Sequence, residues 1–152
     1  MTHTNLVTKK ERVIVYIDGF NLYFGMKEAG YESCKWLDLR QPALSLLKPE
    51  QELKQIKYFT SRVSNNPDKQ KRQTTYTEAL ETQNIKIFYG HYQSDRRACK
   101  RCGSVWPVYH EKMTDVNIAT HMLIDAHQDN FDMAMLMSGD SDLLFVIFLG
   151  SS

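Results

Sequence analysis

The chain has 152 residues, 42% of them hydrophobic and 24% charged, with a formal net charge of +1. These proportions fit one globular domain with a core of its own, and the near-neutral balance excludes a global basic field that would bind nucleic acid without a local site. No apolar run reaches roughly 18 residues, so no transmembrane helix and no membrane partner are expected.

The N-terminus is polar and lacks the apolar stretch of a secretory signal. Three cysteines, an odd number, do not suggest a disulfide framework. A reducing cytoplasm is the expected compartment. Basic residues cluster locally, from Lys9 to Arg12 and from Arg96 to Arg101. Each cluster reads either as a binding patch or as a solvated loop.

In chain order, Val13 to Ile17 is a continuous apolar, β-branched run that predicts a strand covered on both faces. It ends at Asp18-Gly19, a turn signal, and "NLYFGMKEAG" predicts a short helix closed by Gly30. "WLDLRQPALSLL" predicts a second helix, with Pro42 in its first turn and Leu44, Leu46 and Leu47 facing inward. "KQIKYFTSRV" predicts a second strand. Pro67 starts a long polar helix through Gln83. "NIKIFYGHY" predicts a third strand, and "QSDRRACKRCGSVWPVYHEK" an irregular basic loop. "TDVNIATHMLIDAHQ" carries apolar residues at 116, 119, 122, 123 and 126, a helical stripe capped by Thr114 or Asp115. "DMAMLMS" predicts a fourth strand. The alternation argues for an α/β domain with a mainly parallel sheet and right-handed crossovers.

Open parallel sheets bind ligands beyond the carboxyl ends of their strands. Asp18 falls at the end of the first strand, Asp140 and Asp142 at the end of the fourth, and Asp115 at the head of the helix between the third and fourth. Each acid alone also reads as a turn residue or helix cap. Four at one edge read as a shared site. Converging carboxylates resist ionising together, and a hard divalent cation, magnesium or manganese, resolves the conflict. Two such ions can activate water against a phosphodiester. Asn21 can orient a water or a phosphate oxygen, or cap the following helix. Ser138 and Ser141, on either side of Gly139, can hold a phosphate or cap the next element.

"YIDGFNLYFG", "EKMTDVNIATHMLIDA" and "DMAMLMSGDSDL", in that order, resemble the NYN domain family. That family is part of the PIN-like nuclease superfamily and includes the LabA/DUF88-type bacterial proteins. The resemblance implies a three-layer α/β/α fold and metal-dependent cleavage of RNA. It maps onto Asp18, Asn21, Asp115, Asp140 and Asp142, with Lys112 in the motif before Asp115. Asp125 lies ten residues beyond Asp115, rotated about 80° from it on an ideal helix. It reads either as an acid supporting the site or as a solvent-facing charge.

The resemblance also implies a further helix, strand and helix after "SGDSD", whereas here "LLFVIFLGSS" ends the sequence. An apolar run without a polar face is expected to be buried in a partner, covered by a missing part, or an altered tail. Homo-oligomerisation through this segment follows as an expectation. The expected organisation is one domain over 1–152, short at its C-terminus and lacking the usual last strand and helix, with a basic cysteine-containing insertion over 93–112.

Within that insertion, Cys99 and Cys102 have metal-knuckle spacing. One pair supplies two of the four ligands of a structural zinc. His110 is the nearest third ligand, with His91 and Cys34 more distant, and a reduced pair in a surface loop is the other reading. Arg96, Arg97, Lys100, Arg101 and Trp106 can track phosphates and stack bases of single-stranded RNA. Trp106 also reads as a packing residue under the loop.

Two function classes follow. One is an endoribonuclease built on Asp18, Asp115, Asp140 and Asp142. The other is a non-catalytic RNA-binding or regulatory module. An aspartyl phosphatase ranks below both, because position 20 is Phe where that chemistry wants a second Asp.

Overall fold

The run Val13 to Ile17 is fully buried in the computed structural model, and its side chains alternate between two separate cores. Val13, Val15 and Ile17 pack with Leu39, Ala43 and Leu80, while Ile14 and Tyr16 pack with Phe59, Ile118 and Phe131. A strand needs apolar residues at every position only where both faces of its sheet are covered. The structure describes residues 8–22, 30, 38–63, 66–112, 114–140 and 143–150, with backbone alone for 91–95, 109–112, 140 and 143–150.

The strands are β1 (Glu11–Asp18), β2 (Gln51–Ser61), β3 (Ile85–Ala98), β4 (Val105–Lys112), β5 (Met133–Asp140) and β6 (Leu143–Gly150). They form one sheet in the order β4-β3-β2-β1-β5-β6. The four central strands run parallel, and β4 and β6 are antiparallel to their neighbours. In register, Val15 lies between Ile56 and Met135, and Ile17 between Tyr58 and Met137.

Among the described residues, three complete helices flank the sheet: α1 (Arg40–Ser45), α2 (Pro67–Thr82) and α3 (Thr114–His127). Ala43 of α1 and Leu80 of α2 pack on one face, and Ile118 of α3 on the other. This is the expected three-layer α/β/α arrangement. The chain steps from β1 to β2 to β3 in one direction, and α3 then carries it back to β5 on the far side of β1. Crossovers keep one hand, so reversing direction moves the helix to the opposite face. The reversal opens a crevice beyond the carboxyl ends of β1 and β5.

Local signals read in the sequence set α2. Asn66 accepts the Lys69 amide at 3.0 Å as the N-cap, and Pro67 opens the helix. α1 is shorter than the stretch 36–47. Its inward residues are Leu39, Ala43 and Leu47 at four-residue spacing, and Leu44 and Leu46 are exposed, which corrects the expected face. The stripe expected on α3 also turns out to be largely outward. Val116 and Leu123 are 61% and 72% exposed, while Thr114, Ile118 and Asp125 are buried. The inward face of α3 contains a charged residue with buried partners, which an apolar pattern does not register.

Two segments depart from the sequence reading. The stretch 93–112, read as an irregular loop, is a β-hairpin in which Gln93 pairs with His110 and Ala98 with Val105. Cross-strand pairing satisfies its backbone groups without an apolar face. Residues 143–150, for which no element was foreseen, form β6, with Asp140 paired to Leu143 and Met133 to Gly150. The helix expected over 21–30 lies mostly outside the described residues.

Arg12, from the first basic cluster, is a structural cation. Its guanidinium meets Asp132 and Asp129, each at 2.9 Å, and its own amide donates to Asp132 at 2.8 Å. These bonds fasten the start of β1 to the turn before β5.

Candidate active site

Asp18 closes β1 and is 4% exposed. The next position is glycine, where a Cβ would lie 2.2 Å from the Tyr58 ring. In the helical turn that follows, the Asn21 amide N–H donates to Asp18 Oδ1 at 3.1 Å, and Asn21 Nδ2 donates to Oδ2 at 2.8 Å. Both carboxylate oxygens are thereby oriented, and the Asn21 side-chain oxygen is turned away from them.

Burial pushes the Asp18 carboxyl up, the Asn21 amide pulls it down, and the charge of Asp115 pushes it up again, with a net rise above the ordinary aspartate value. Asp115 sits in the first turn of α3. It reaches the same edge because β4 returns antiparallel to β3 and ends at Lys112, opposite His91, just beyond the last parallel pair Ser61–Gly90. Among the described residues, no lysine or arginine forms an ion pair with Asp18 or Asp115.

β5 brings the third part of the edge. A Cβ on Gly139 would lie 2.8 Å from the Asn21 carbonyl oxygen and 3.1 Å from the Leu22 Cα. The end of β5 is therefore pressed onto the turn after β1, and Met137 is in register with Ile17. Half-buried Ser138 and the backbone of Asp140 follow beside Asp18. The Asp140 side chain, Ser141 and Asp142 lie outside the described residues, as do the side chains of Lys112 and His110. Gly139 had no role in the sequence reading, although its place inside "SGDSD" was the available signal.

Among the described residues, no group of three or more metal-ligating side chains is gathered. The carboxylates that share this edge, Asp18 and Asp115, are hard oxygen ligands of the kind that suit magnesium or manganese, and Asn21 serves there as a donor to Asp18.

Asp125 belongs elsewhere. It lies about 15 Å down the helix from Asp115 at 1.5 Å per residue. Its carboxylate accepts from Lys57 Nζ at 2.5 Å, Tyr16 Oη at 2.6 Å and Asn130 Nδ2 at 3.0 Å. Burial pushes the Asp125 carboxyl up, but these donors outweigh it and hold it below the ordinary value. Neither expected role, support for the acidic edge or a solvent-facing charge, describes it. Lys57 was missed, although a lysine inside the apolar run "QIKYF" marked the spot.

The hairpin separates the proposed zinc ligands. Cys99 and Cys102 flank its tip, where Gly103 adopts φ +71° and its amide donates to the Cys99 carbonyl at 2.9 Å. Cys102 Sγ is 2.9 Å from Ser104 Oγ, and the hydrogen bond from Ser104 lowers the Cys102 thiol below its ordinary value. His110 pairs five positions below the Val105–Ala98 pair, so its backbone is about 17 Å along the strand. This corrects its grouping with the two cysteines. Cys34 lies outside the described residues.

Arg96, Arg97, Lys100 and Arg101 are all exposed on the arm. Arg97 faces Trp106 across the hairpin, and Trp106 is 46% exposed, so it is not packed beneath a loop.

The NYN domain model matches residues 12–148. A curated relative, 6-hydroxy-3-succinoylpyridine 3-monooxygenase HspA of Pseudomonas putida, is 25% identical over 169 aligned residues. That alignment covers 87% of this chain and 53% of the relative, so the chain spans about half the relative's length. No solved structure gives a significant match. With a matched model over nearly its whole length and a parallel α/β/α sheet to carry it, the chain belongs to the NYN domain family, part of the PIN-like nuclease superfamily.

Proposed function

We propose that this protein is a metal-dependent endoribonuclease that hydrolyses phosphodiester bonds of single-stranded RNA. The convergence of Asp18 and Asp115 beyond the strand ends, without a paired cation among the described residues, carries the reading. Family membership supports it, since NYN domains are typically nucleases.

Asp18 and Asp115 would hold magnesium or manganese, with Asp140 and Asp142 as further ligands. Such an ion, when bound, neutralises phosphate charge and makes water a better nucleophile. Asn21 fixes the rotamer of Asp18, and Ser138 offers a hydroxyl to a phosphate oxygen. Lys112, in the motif before Asp115, would meet backbone phosphate on this reading. Arg96, Arg97, Lys100, Arg101 and Trp106 hold the strand along the arm, which leaves the sheet at the acidic edge. The protein works in the cytoplasm on this reading, and β6, paired on one side only among the described strands, is the edge on which a homo-oligomer would add.

Labelled single-stranded RNA with and without magnesium or manganese tests the proposal, beside Asp18→Asn and Asp140→Asn. Metal-dependent cleavage lost in both variants is expected. RNA binding that survives chelation and both substitutions, without cleavage, would establish the non-catalytic module instead. The relative's name carries one further reading, oxygenation of a hydroxypyridine ring. Oxygen uptake with 6-hydroxy-3-succinoylpyridine and an added two-electron donor such as a reduced nicotinamide, which would reduce the second oxygen atom to water, and no RNA cleavage would select it.

A further inference from the structure

The hairpin arm ends in a pair of thiols that the acidic edge does not use. β3 pairs with β2 only as far as Gly90, and from His91 to Ala98 its partner is β4. The arm therefore projects about 26 Å past the parallel sheet at 3.3 Å per residue. At its end, the Cys99 amide donates to the Ser104 carbonyl at 2.8 Å and the Gly103 amide to the Cys99 carbonyl at 2.9 Å, which closes a tight turn around C-x-x-C-G. Cys102 is exposed, Cys99 half-buried, and neither is in a disulfide.

Two thiolates held by one turn make half of a tetrahedral zinc site. The register removes His110 from reach. Among the described residues, no third histidine, cysteine or acid gathers with the pair. The arm carries the tip away from the body of the sheet, so two tips can meet without their domains colliding. Four thiolates around one zinc leave a double negative charge, and Arg96, Arg97, Lys100 and Arg101 on each arm oppose it.

We infer that the hairpin tip is a half-site for zinc, completed by Cys99 and Cys102 of a second copy of this chain, so that one ion clasps two arms. The clasp is independent of the nuclease reading and sets two basic arms side by side.

Zinc is titrated into the reduced, metal-free full-length protein, and binding stoichiometry and mass are measured together by competition with a chromogenic chelator and light scattering. Cobalt replaces zinc in a parallel titration to read the ligand field. The expected result is one ion per two chains, a doubling of mass over the metal-free protein, and a tetrathiolate cobalt spectrum. Cys99→Ser or Cys102→Ser should abolish all three, and both lie at an exposed tip outside the two cores. His110→Ala should leave all three intact. One ion per chain with no change in mass would overturn the inference, as would a spectrum with a nitrogen ligand lost in His110→Ala, or no binding by reduced protein.

Discussion

Lys57 and Asp125 form a buried ion pair at 2.5 Å that joins β2 to α3, with each side chain under 10% exposed. Tyr16 completes it from β1. A buried pair adds little net stability, but removing one partner strands the other. Lys57→Met should therefore cost about 3–5 kcal/mol in urea denaturation. The triple variant Lys57→Met, Asp125→Leu and Tyr16→Phe, which also removes the buried hydroxyl that Asp125 accepts from, should recover much of that loss. A single variant within about 1 kcal/mol of the parent would show that the pair is solvated.

Asp18 gives a pH signature. Its folded-state value is raised, first by burial and then by Asp115. The stability it contributes is complete below the ordinary aspartate value and is lost as pH rises through the raised value. Asp18→Asn should therefore stabilise the metal-free protein at neutral pH and flatten the fall in melting temperature as pH rises beyond the ordinary aspartate value. The same variant should lower cleavage by at least about 100-fold, or ~2.7 kcal/mol at 1.36 per decade. A variant that is less stable at neutral pH would contradict the buried-charge account.

Gly139 should resist substitution. The atoms that a new Cβ would meet are backbone atoms of Asn21 and Leu22, which cannot rotate away. Gly139→Ala should cost about 1–3 kcal/mol through overpacking and push the end of β5 from Asp18, so that cleavage falls further than melting temperature does. Unchanged kinetics in this variant would mean that the two strand ends are not held in contact.

On the arm, Trp106→Ala and Arg97→Ala should weaken single-stranded RNA binding without moving the thermal transition, because both residues are exposed. Loss of one stacked base predicts about 1–3 kcal/mol for Trp106. Arg97→Ala should also flatten the salt dependence of binding. Fluorescence anisotropy across a salt series reads both effects. Equal affinity in both variants would move the RNA path off the arm.

The arm, β6 and α3 show where sequence patterns stop being informative. Residues 93–98 alternate no apolar face, because a free hairpin is held by backbone pairing rather than by a core. The run Leu143 to Leu149 has apolar residues throughout, which cannot separate a strand from a buried helix. The stripe on α3 failed for a different reason. Asp125 faces inward only because Lys57 and Tyr16, 68 and 109 residues away in sequence, neutralise it there.

The sequence alone determined the layered α/β class, since a continuous apolar run such as Val13 to Ile17 fits a strand covered on both faces, and alternating helices and strands favour a parallel sheet. It also placed Asp18, Asp115 and Asp140 at strand and helix ends, because turns and caps are written locally. Only the tertiary structure decided that β5 returns beside β1, that Gly139 presses on Asn21, and that His110 stands far from Cys99 and Cys102. Those relations depend on strand order and register, which are set by long-range packing and pairing rather than by any stretch of residues read by itself.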